Sequence, residues 1–505
     1  MENFYITTPI YYVNDKPHIG HAYTTIACDI IARYQKLHKK NVFFLTGTDE
    51  HGQKVEKAAL KNKQQNQEFV DSMSKNFENL IPFLNCNINN FIRTTEERHI
   101  KASQFLWSKL FENNQIYLSN YEGWYSGRDE AFYQENELIK KEEKFYAPTG
   151  ASVEWVKEES YFFKLSEWQD KLIDFYNQNP KAILPKSRYN EVISFIKGGL
   201  RDLSISRTTF NWGVPVPNNN NHVMYVWIDA LCNYLTALGY PNKKTHNFIN
   251  FWPGMHVVGK DILRFHAVYW PAFLMAADLD PPKRIFAHGW WTNEGEKISK
   301  SLGNIINPYD IINKYGLDQI RFFLFREVPF GNDGDFSKDS IKKRINADLS
   351  NNFGNLIQRV CSFIEKNCDS KVLNNFDENE EDKKIFSLSD KLLENYIKSM
   401  DNQEIDKALK YIFEFLSLVN TYIDKQEPWK LRKENLDRMN QVLSVSLELI
   451  RRCSIILYPI IPDSINKVFS IINIDKNLIN LDSYNIIPKE IRKINHPTPI
   501  FPRID

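Results

Sequence analysis

Apolar and polar positions along the chain follow two periods, and the exchange between them predicts the architecture. "FYITT" is a short β-favouring run that ends at Pro9. Between Ile19 and Lys40, apolar residues recur at Ala22, Ile26, Ile30, Tyr34 and Leu37, which is a helical stripe. "NVFFLTGTDEHG" returns to a short apolar strand closing in a polar, glycine-containing loop, and a further helical stretch starts at Gln53. Strand, helix, strand and helix in quick order predict an α/β fold with a parallel sheet. Ligands of such sheets gather at the carboxyl ends of the strands, and the polar clusters at His18–His21 and Asp49–His51 fall at such ends.

From about Tyr117 the pattern changes to short strands and turns, with helical text resuming near Trp168. Residues 117–224 therefore read as an insertion into the sheet domain, closing at the asparagine-rich "VPNNNNHVMYVW". The sheet domain thus comprises 1–116 and 225–295, where alternation returns in "MYVWIDALCNYLTAL" and "MHVVGKDILRFHAVYW". Residues 296–346 form a connecting region, and 347–505 read as almost wholly helical. Within that last part the charged "NNFDENEEDKK" is expected to be a solvated loop, and the proline-rich tail to be extended.

Composition narrows the function classes. A chain of 505 residues is long enough for several domains. Its formal net charge of +1 gives no global electrostatic signal for nucleic acid, so any such contact must come from a local patch. The six cysteines include no C-x2-C pair, which removes zinc knuckles and thioredoxin-like motifs. Cys361 and Cys368 are expected to be small residues on one helix face rather than ligands. Sparse cysteine fits a reducing compartment. No apolar run reaches membrane-spanning length and the N-terminus shows no targeting pattern, so a cytoplasmic location without membrane contact is expected.

Two stretches carry candidate chemistry. In "HIGH", His18 and His21 bracket Gly20 where a strand hands over to a helix. Orphan amides and the dipole at a helix N-terminus attract anions, and imidazoles add donors for phosphate oxygens. H-x-G-H is shared with nucleotidylyltransferases, and a plain surface histidine pair is the bland alternative. In "GEKISKSLGN", Lys297 and Lys300 sit in a loop after a glycine-bounded hairpin. They are point charges suited to a triphosphate, although a solvated Lys/Ser loop reads the same in isolation.

HIGH followed about 280 residues later by Lys-Ile-Ser-Lys-Ser resembles the signature pair of class I aminoacyl-tRNA synthetases. The text between, including "TTPIYYVNDKPHIGH", "FLTGTDEHGQK", "LSISRTTFNWGVPVP", "YVWIDAL" and "HVVGKDILRFHAVYWPAFLMA", is similar to the methionyl-tRNA synthetase family from residue 4 onward. The resemblance implies a Rossmann-like catalytic domain carrying a connective insertion and followed by an all-α anticodon-binding domain. It implies activation of methionine with ATP to methionyl-adenylate, then transfer to the 3′ adenosine of initiator and elongator tRNA(Met). ATP and Mg²⁺ accompany that chemistry, with His18, Gly20, His21, Lys297 and Lys300, together with Gly259 and Asp261, as the nucleotide contacts. Methionine would be held by Ile10, Tyr12, Asp49, Trp227, Ala230, Tyr234, Ile262 and His266, with Asp49 on the ammonium. An anticodon face would include Asn351, Asn355, Arg359 and Trp429, where amides and a guanidinium read base edges and an indole stacks a splayed base. A solvent-facing role without function is the competing reading for Asn351 and Asn355.

The chain departs from many relatives where a zinc knuckle falls in the insertion: Ser126, Asp129, Ala147 and Gly150 occupy the positions of the cysteines. A zinc-free insertion is therefore expected. At about 108 residues the insertion is also too short for the editing domain of the leucine, isoleucine and valine enzymes. With no appended C-terminal domain in view, a monomer is expected.

Overall fold

The computed structural model describes residues 1–128, 131–133, 135–141, 144–298, 304–372, 379–487 and 492–504. They divide into two compact units. One comprises residues 3–17 and 43–287; the other comprises 1–2, 18–42 and 288–505.

The first unit is built on a sheet whose strands run in the order Ile183–Leu184, Arg284–His288, Met255–Gly259, Asn3–Thr7, Asn41–Asp49 and Tyr11–Tyr12, with Asn90–Arg93 also paired to Asn41–Asp49. The described pairings in it, such as Ile6 with Met255, Tyr12 with Asp49 and Leu45 with Asn90, are parallel. Every residue of Asn41–Asp49 after Asn41 is buried, the mark of a strand covered on both faces. That is why its sequence shows an apolar run instead of alternation. Its core extends from Tyr5, Phe43 and Leu45 through Trp107 and Phe163 to Tyr234, Trp270 and Ala287. The expected short strands of the insertion include two long ones: Ile116–Ser126 pairs antiparallel with Glu154–Phe163, from Ile116 opposite Phe163 to Tyr125 opposite Glu154.

The second unit holds helix Ile19–Leu37, a small sheet of Trp291–Asn293, Glu296–Lys297 and Gly334–Phe336, and a run of helices from Pro308 to Ile471. Helix Ile19–Leu37 is buried on nearly all sides and fastened by paired charges. Asp29 accepts from Arg33 Nε at 2.7 Å and from Arg321 at 2.6 Å, while the fully buried Arg321 also donates to the carbonyls of Pro459 and Ile460. Tyr34 donates to Asp401 at 2.8 Å. Further on, buried Glu448 gathers Arg451, Arg452 and Arg492, so this buried charge is also paired.

Two expectations need correction here. Of the presumed loop "NNFDENEEDKK", residues 374–378 lie outside the described residues, but its second half is helix. Asn379 caps helix Glu380–Asp401 by accepting from the amides of Glu381 and Asp382, and the acidic first turn suits the helix dipole. Lys297 stands in a paired strand opposite Thr292 and not in the following loop. Among the described residues, no helix is long and apolar enough to cross a membrane.

Candidate active site

In the second unit, His18 is the N-cap of helix Ile19–Leu37. The amide of Gly20 donates to His18 Nδ1 at 3.1 Å, and the amide of His18 donates to His21 Nδ1 at 3.1 Å. The half-buried rings stack with centroids 3.8 Å apart. A backbone amide can only donate, so both Nδ1 atoms are unprotonated and both rings carry their proton on Nε2. Burial, with His18 beside it, holds His21 well below the usual imidazole range. Both rings are thus neutral donors at Nε2, at a helix start that already favours anions.

Gly20 has a steric reason of its own. A Cβ there would lie 2.9 Å from His18 Cε1 and 3.1 Å from Nδ1, so any side chain would push the capping ring aside. The corner also meets the segment after the lysine-bearing loop, because the amide of Ile19 donates to Ile306 O at 3.0 Å. On the other side of that loop, Trp291–Asn293 and Glu296–Lys297 form a hairpin turning at Glu294 and Gly295, both with positive φ. Asp335 accepts from Thr292 Oγ1 at 2.6 Å and from the Gly295 amide at 2.7 Å, which fixes the turn. Asn293 donates to Asn304 O at 2.9 Å. Both ends of the loop are therefore tied to this unit; Lys300 lies outside the described residues.

The first unit holds the predicted amino-acid contacts. Ile10, Tyr12, Trp227 and Ile262 are partly buried against the core that includes Tyr234. Ala230 is buried on the same helix as Trp227, and Asp49 ends its strand in register with Tyr12. Trp227 stacks on Phe265 with centroids 3.9 Å apart and planes 6° from parallel, and meets His266 edge-on at 6.0 Å. Tyr234 lies within hydrogen-bond distance of His266, 2.8 Å from hydroxyl to Nε2. His266 Nδ1 is 2.9 Å from Ile262 O. The carbonyl can only accept, so Nδ1 carries the proton and Nε2 takes the tyrosine's. Burial lowers His266 to about 4, only partly opposed by the bond to Ile262, which leaves the ring neutral at pH 7. The result is an aromatic wall whose Tyr234 and His266 protons are already committed. Gly259 ends the strand Met255–Gly259, and the exposed Asp261 follows in a short 3₁₀ turn.

Two members of this wall, Phe265 and His256, are not marked by the sequence pattern. Phe265 lies in a π-helical turn, Phe265–Tyr269, that a 3.6-residue period does not register. His256, fully buried, stacks on Tyr234 at 3.9 Å and lies 2.9 Å from Thr7 Oγ1. Both residues were visible in "HVVGKDILRFH", but nothing in their spacing marked them.

The proposed anticodon residues belong to the second unit. Asn351 and Asn355 are exposed, one within the π-helical segment Ile345–Gly354 and the other opening helix Asn355–Asn367. Arg359 pairs with Asp424 at 2.5 Å. Trp429 is 42% exposed in the first turn of helix Pro428–Glu434. In the insertion, Ser126 and Ala147 are buried, Gly150 is exposed, and Asp129 lies outside the described residues.

Comparison with known proteins agrees along the whole chain. Residues 4–361 match the family model described as tRNA synthetases class I (M), and 374–498 match the anticodon binding domain of methionyl tRNA ligase. Trp429 falls inside the second match; Asn351, Asn355 and Arg359 fall inside the first. The chain is 53% identical to the methionine–tRNA ligase of Rickettsia conorii, with 99% of each covered. It is 50% identical to that of Brucella suis, covering 99% of this chain and 98% of the relative. Among solved structures, Mycobacterium tuberculosis methionyl-tRNA synthetase in complex with methionyl-adenylate superposes with a TM-score of 0.97 at 44% identity, both chains fully covered. With its family model matched over 4–361, the chain belongs to the methionyl family of class I tRNA synthetases.

Proposed function

We propose that the protein is a methionine–tRNA ligase that joins methionine to ATP as methionyl-adenylate, releases pyrophosphate, and passes the methionyl group to the 3′ adenosine of initiator and elongator tRNA(Met). The observation that carries the substrate is the wall of Trp227, Phe265, Tyr234 and His266. A flexible, polarisable thioether gains from aromatic contact. A charged side chain would be desolvated there without a countercharge, since the wall is neutral: Tyr234 gives its proton to His266, and His266 gives its own to Ile262. Asp49 supplies the countercharge for the ammonium, with Ile10, Tyr12, Ala230 and Ile262 completing the enclosure.

The first step needs no general base, because the methionine carboxylate is already ionised at pH 7. It needs in-line placement on the α-phosphate and stabilisation of charge on the departing pyrophosphate. His18 and His21, donors at Nε2, would bond phosphate oxygens, and Lys297 and Lys300 would neutralise the pyrophosphate. Gly259 and Asp261 would meet the ribose and base. Among the described residues, no group of three His, Cys, Asp or Glu could hold a metal ion. Mg²⁺ would arrive on the nucleotide's own phosphates, and no step here is routed through it. Asn351, Asn355, Arg359 and Trp429 would contact the anticodon loop, and the protein would act as a cytoplasmic monomer.

The test is amino-acid-dependent ATP–pyrophosphate exchange without tRNA, comparing methionine with leucine, isoleucine, valine and cysteine. Exchange driven by methionine alone is expected. Equal exchange with leucine, or none with any of the five, would overturn the reading.

A further inference from the structure

Asp229 is fully buried, and nothing in the reaction above uses it. Its carboxylate is shared between two imidazoles: Oδ2 lies 2.7 Å from His51 Nδ1, and Oδ1 lies 2.7 Å from His99 Nε2. Around His99, Thr236 Oγ1 stands 3.3 Å from Nδ1 and Ser103 Oγ stands 3.2 Å from Nε2. Burial pushes the Asp229 carboxyl up, but His51 and His99 outweigh it and hold the group at about 2. The carboxylate therefore stays ionised throughout the neutral range.

Its partners are distant in sequence, 178 residues away for His51 and 130 for His99. Each sits on an element that matters. His51 lies two residues past Asp49, in the loop after strand Asn41–Asp49. Asp229 lies between Trp227 and Ala230 on helix Val226–Leu231. His99 belongs to helix Glu97–Glu112, which anchors the far side of the carboxylate. The loop is braced elsewhere as well: Trp212 Nε1 donates to Glu50 O at 2.6 Å, the Gly52 amide donates to Trp212 O at 2.9 Å, and Arg93 bonds Glu50 at 2.7 Å. Those braces hold the loop, but only the Asp229 bond among these ties it directly to the helix bearing Trp227.

We propose that Asp229 is a positioning residue for the amino-acid substrate. Through His51 and His99 it fixes the spacing between Asp49, which meets the ammonium, and the Trp227–Ala230 wall, which meets the thioether. The inference rests on the methionine reading of this site. Asp49 and the Trp227–Ala230 wall would hold the two ends of the substrate, so a change in their spacing weakens binding and falls on KM for methionine. Replacing the carboxylate by an amide turns one acceptor into a donor that faces an imidazole N–H, so one of the two bonds breaks unless that ring moves its proton to its other nitrogen, and the negative charge between the rings is lost either way.

The experiment is exchange kinetics on Asp229→Asn with methionine and ATP varied separately. A rise of at least about tenfold in KM for methionine is expected, with KM for ATP within about twofold of the wild type. A merely structural role would lower the amount of active protein and kcat while leaving both KM values in place, and would overturn the proposal. Should D229N not yield folded protein by circular dichroism, H99Q decides by the same ratio of KM changes. Wild-type protein with no methionine-dependent exchange would remove the functional reading and this inference together. Normal wild-type exchange with an unchanged methionine KM in the variant would remove this inference alone.

Discussion

At the helix corner of one unit, His18 and His21 accept backbone amides at Nδ1 and keep their protons at Nε2. In the other unit, His266 gives its Nδ1 proton to Ile262 and accepts from Tyr234 at Nε2. The same side chain is thus set in opposite tautomers by its local backbone. At the corner the protonated nitrogen of each ring is Nε2, a donor of the kind the proposed phosphate contact needs. In the wall the ring is an acceptor that consumes a tyrosine proton, so Trp227, Phe265, Tyr234 and His266 make an aromatic, uncharged surface. Neither assignment requires protonation, and in both places burial keeps the ring neutral: His21 well below the usual range and His266 at about 4. The difference lies in which nitrogen the fold leaves protonated.

The sharpest way to break this contrast is His21→Ala. It removes the proposed phosphate donor together with the acceptor of the His18 amide, and kcat for methionine-dependent exchange should fall by about a hundredfold or more, with KM for methionine unchanged. A methionine-specific loss of affinity instead would place His21 in the wrong half of the comparison. Gly20→Ala should follow at about tenfold in kcat, because the methyl group meets His18 Cε1 at 2.9 Å. Losing the His18 cap and gaining the better helix propensity of Ala oppose each other, so thermal unfolding should shift by only a few degrees while exchange drops.

In the wall, Tyr234→Phe leaves His266 Nε2 without its donor. KM for methionine should rise about three- to tenfold with little change in kcat, a shift worth about 1 kcal/mol for one neutral hydrogen bond. The smallest effect concerns pH. The folded value of His266 lies below the ordinary value near 6.5, so its neutral burial stabilises the fold above about 6.5, and that contribution is lost as the pH falls towards about 4. A series of melting curves should show Tm declining over that window, and His266→Gln should flatten the decline by a few degrees. An identical slope in the variant would assign the decline to other groups.

How much of this was legible in the sequence depends on what set each feature. The helix at Ile19 and the strand at Asn41 were readable because burial imposed a period or an apolar run on them. The helix start at Glu380 was not, since "NEEDKK" is as charged as any loop and only the Asn379 cap distinguishes it. The π-helical turns at Phe265 and Ile345 were illegible for a related reason: one extra residue per turn leaves composition untouched and only shifts the period. Lys297 reads as loop in the sequence because the return strand after the Glu294–Gly295 turn is only two residues long, too short to show a period. The histidines of HIGH were found, but their tautomers follow from backbone amides that only coordinates supply. Asp229 sat in plain view within "YVWIDAL", and its role depended on two imidazoles more than a hundred residues away.

The most direct test of the contrast is a single exchange experiment on His21→Ala and His266→Ala side by side, with methionine titrated at saturating ATP. A crossed result is predicted: His21→Ala loses kcat and keeps its methionine KM, whereas His266→Ala raises that KM by about tenfold and keeps most of its kcat. If both variants lose methionine affinity alike, the two histidine settings do one job, and the division of labour drawn here is wrong.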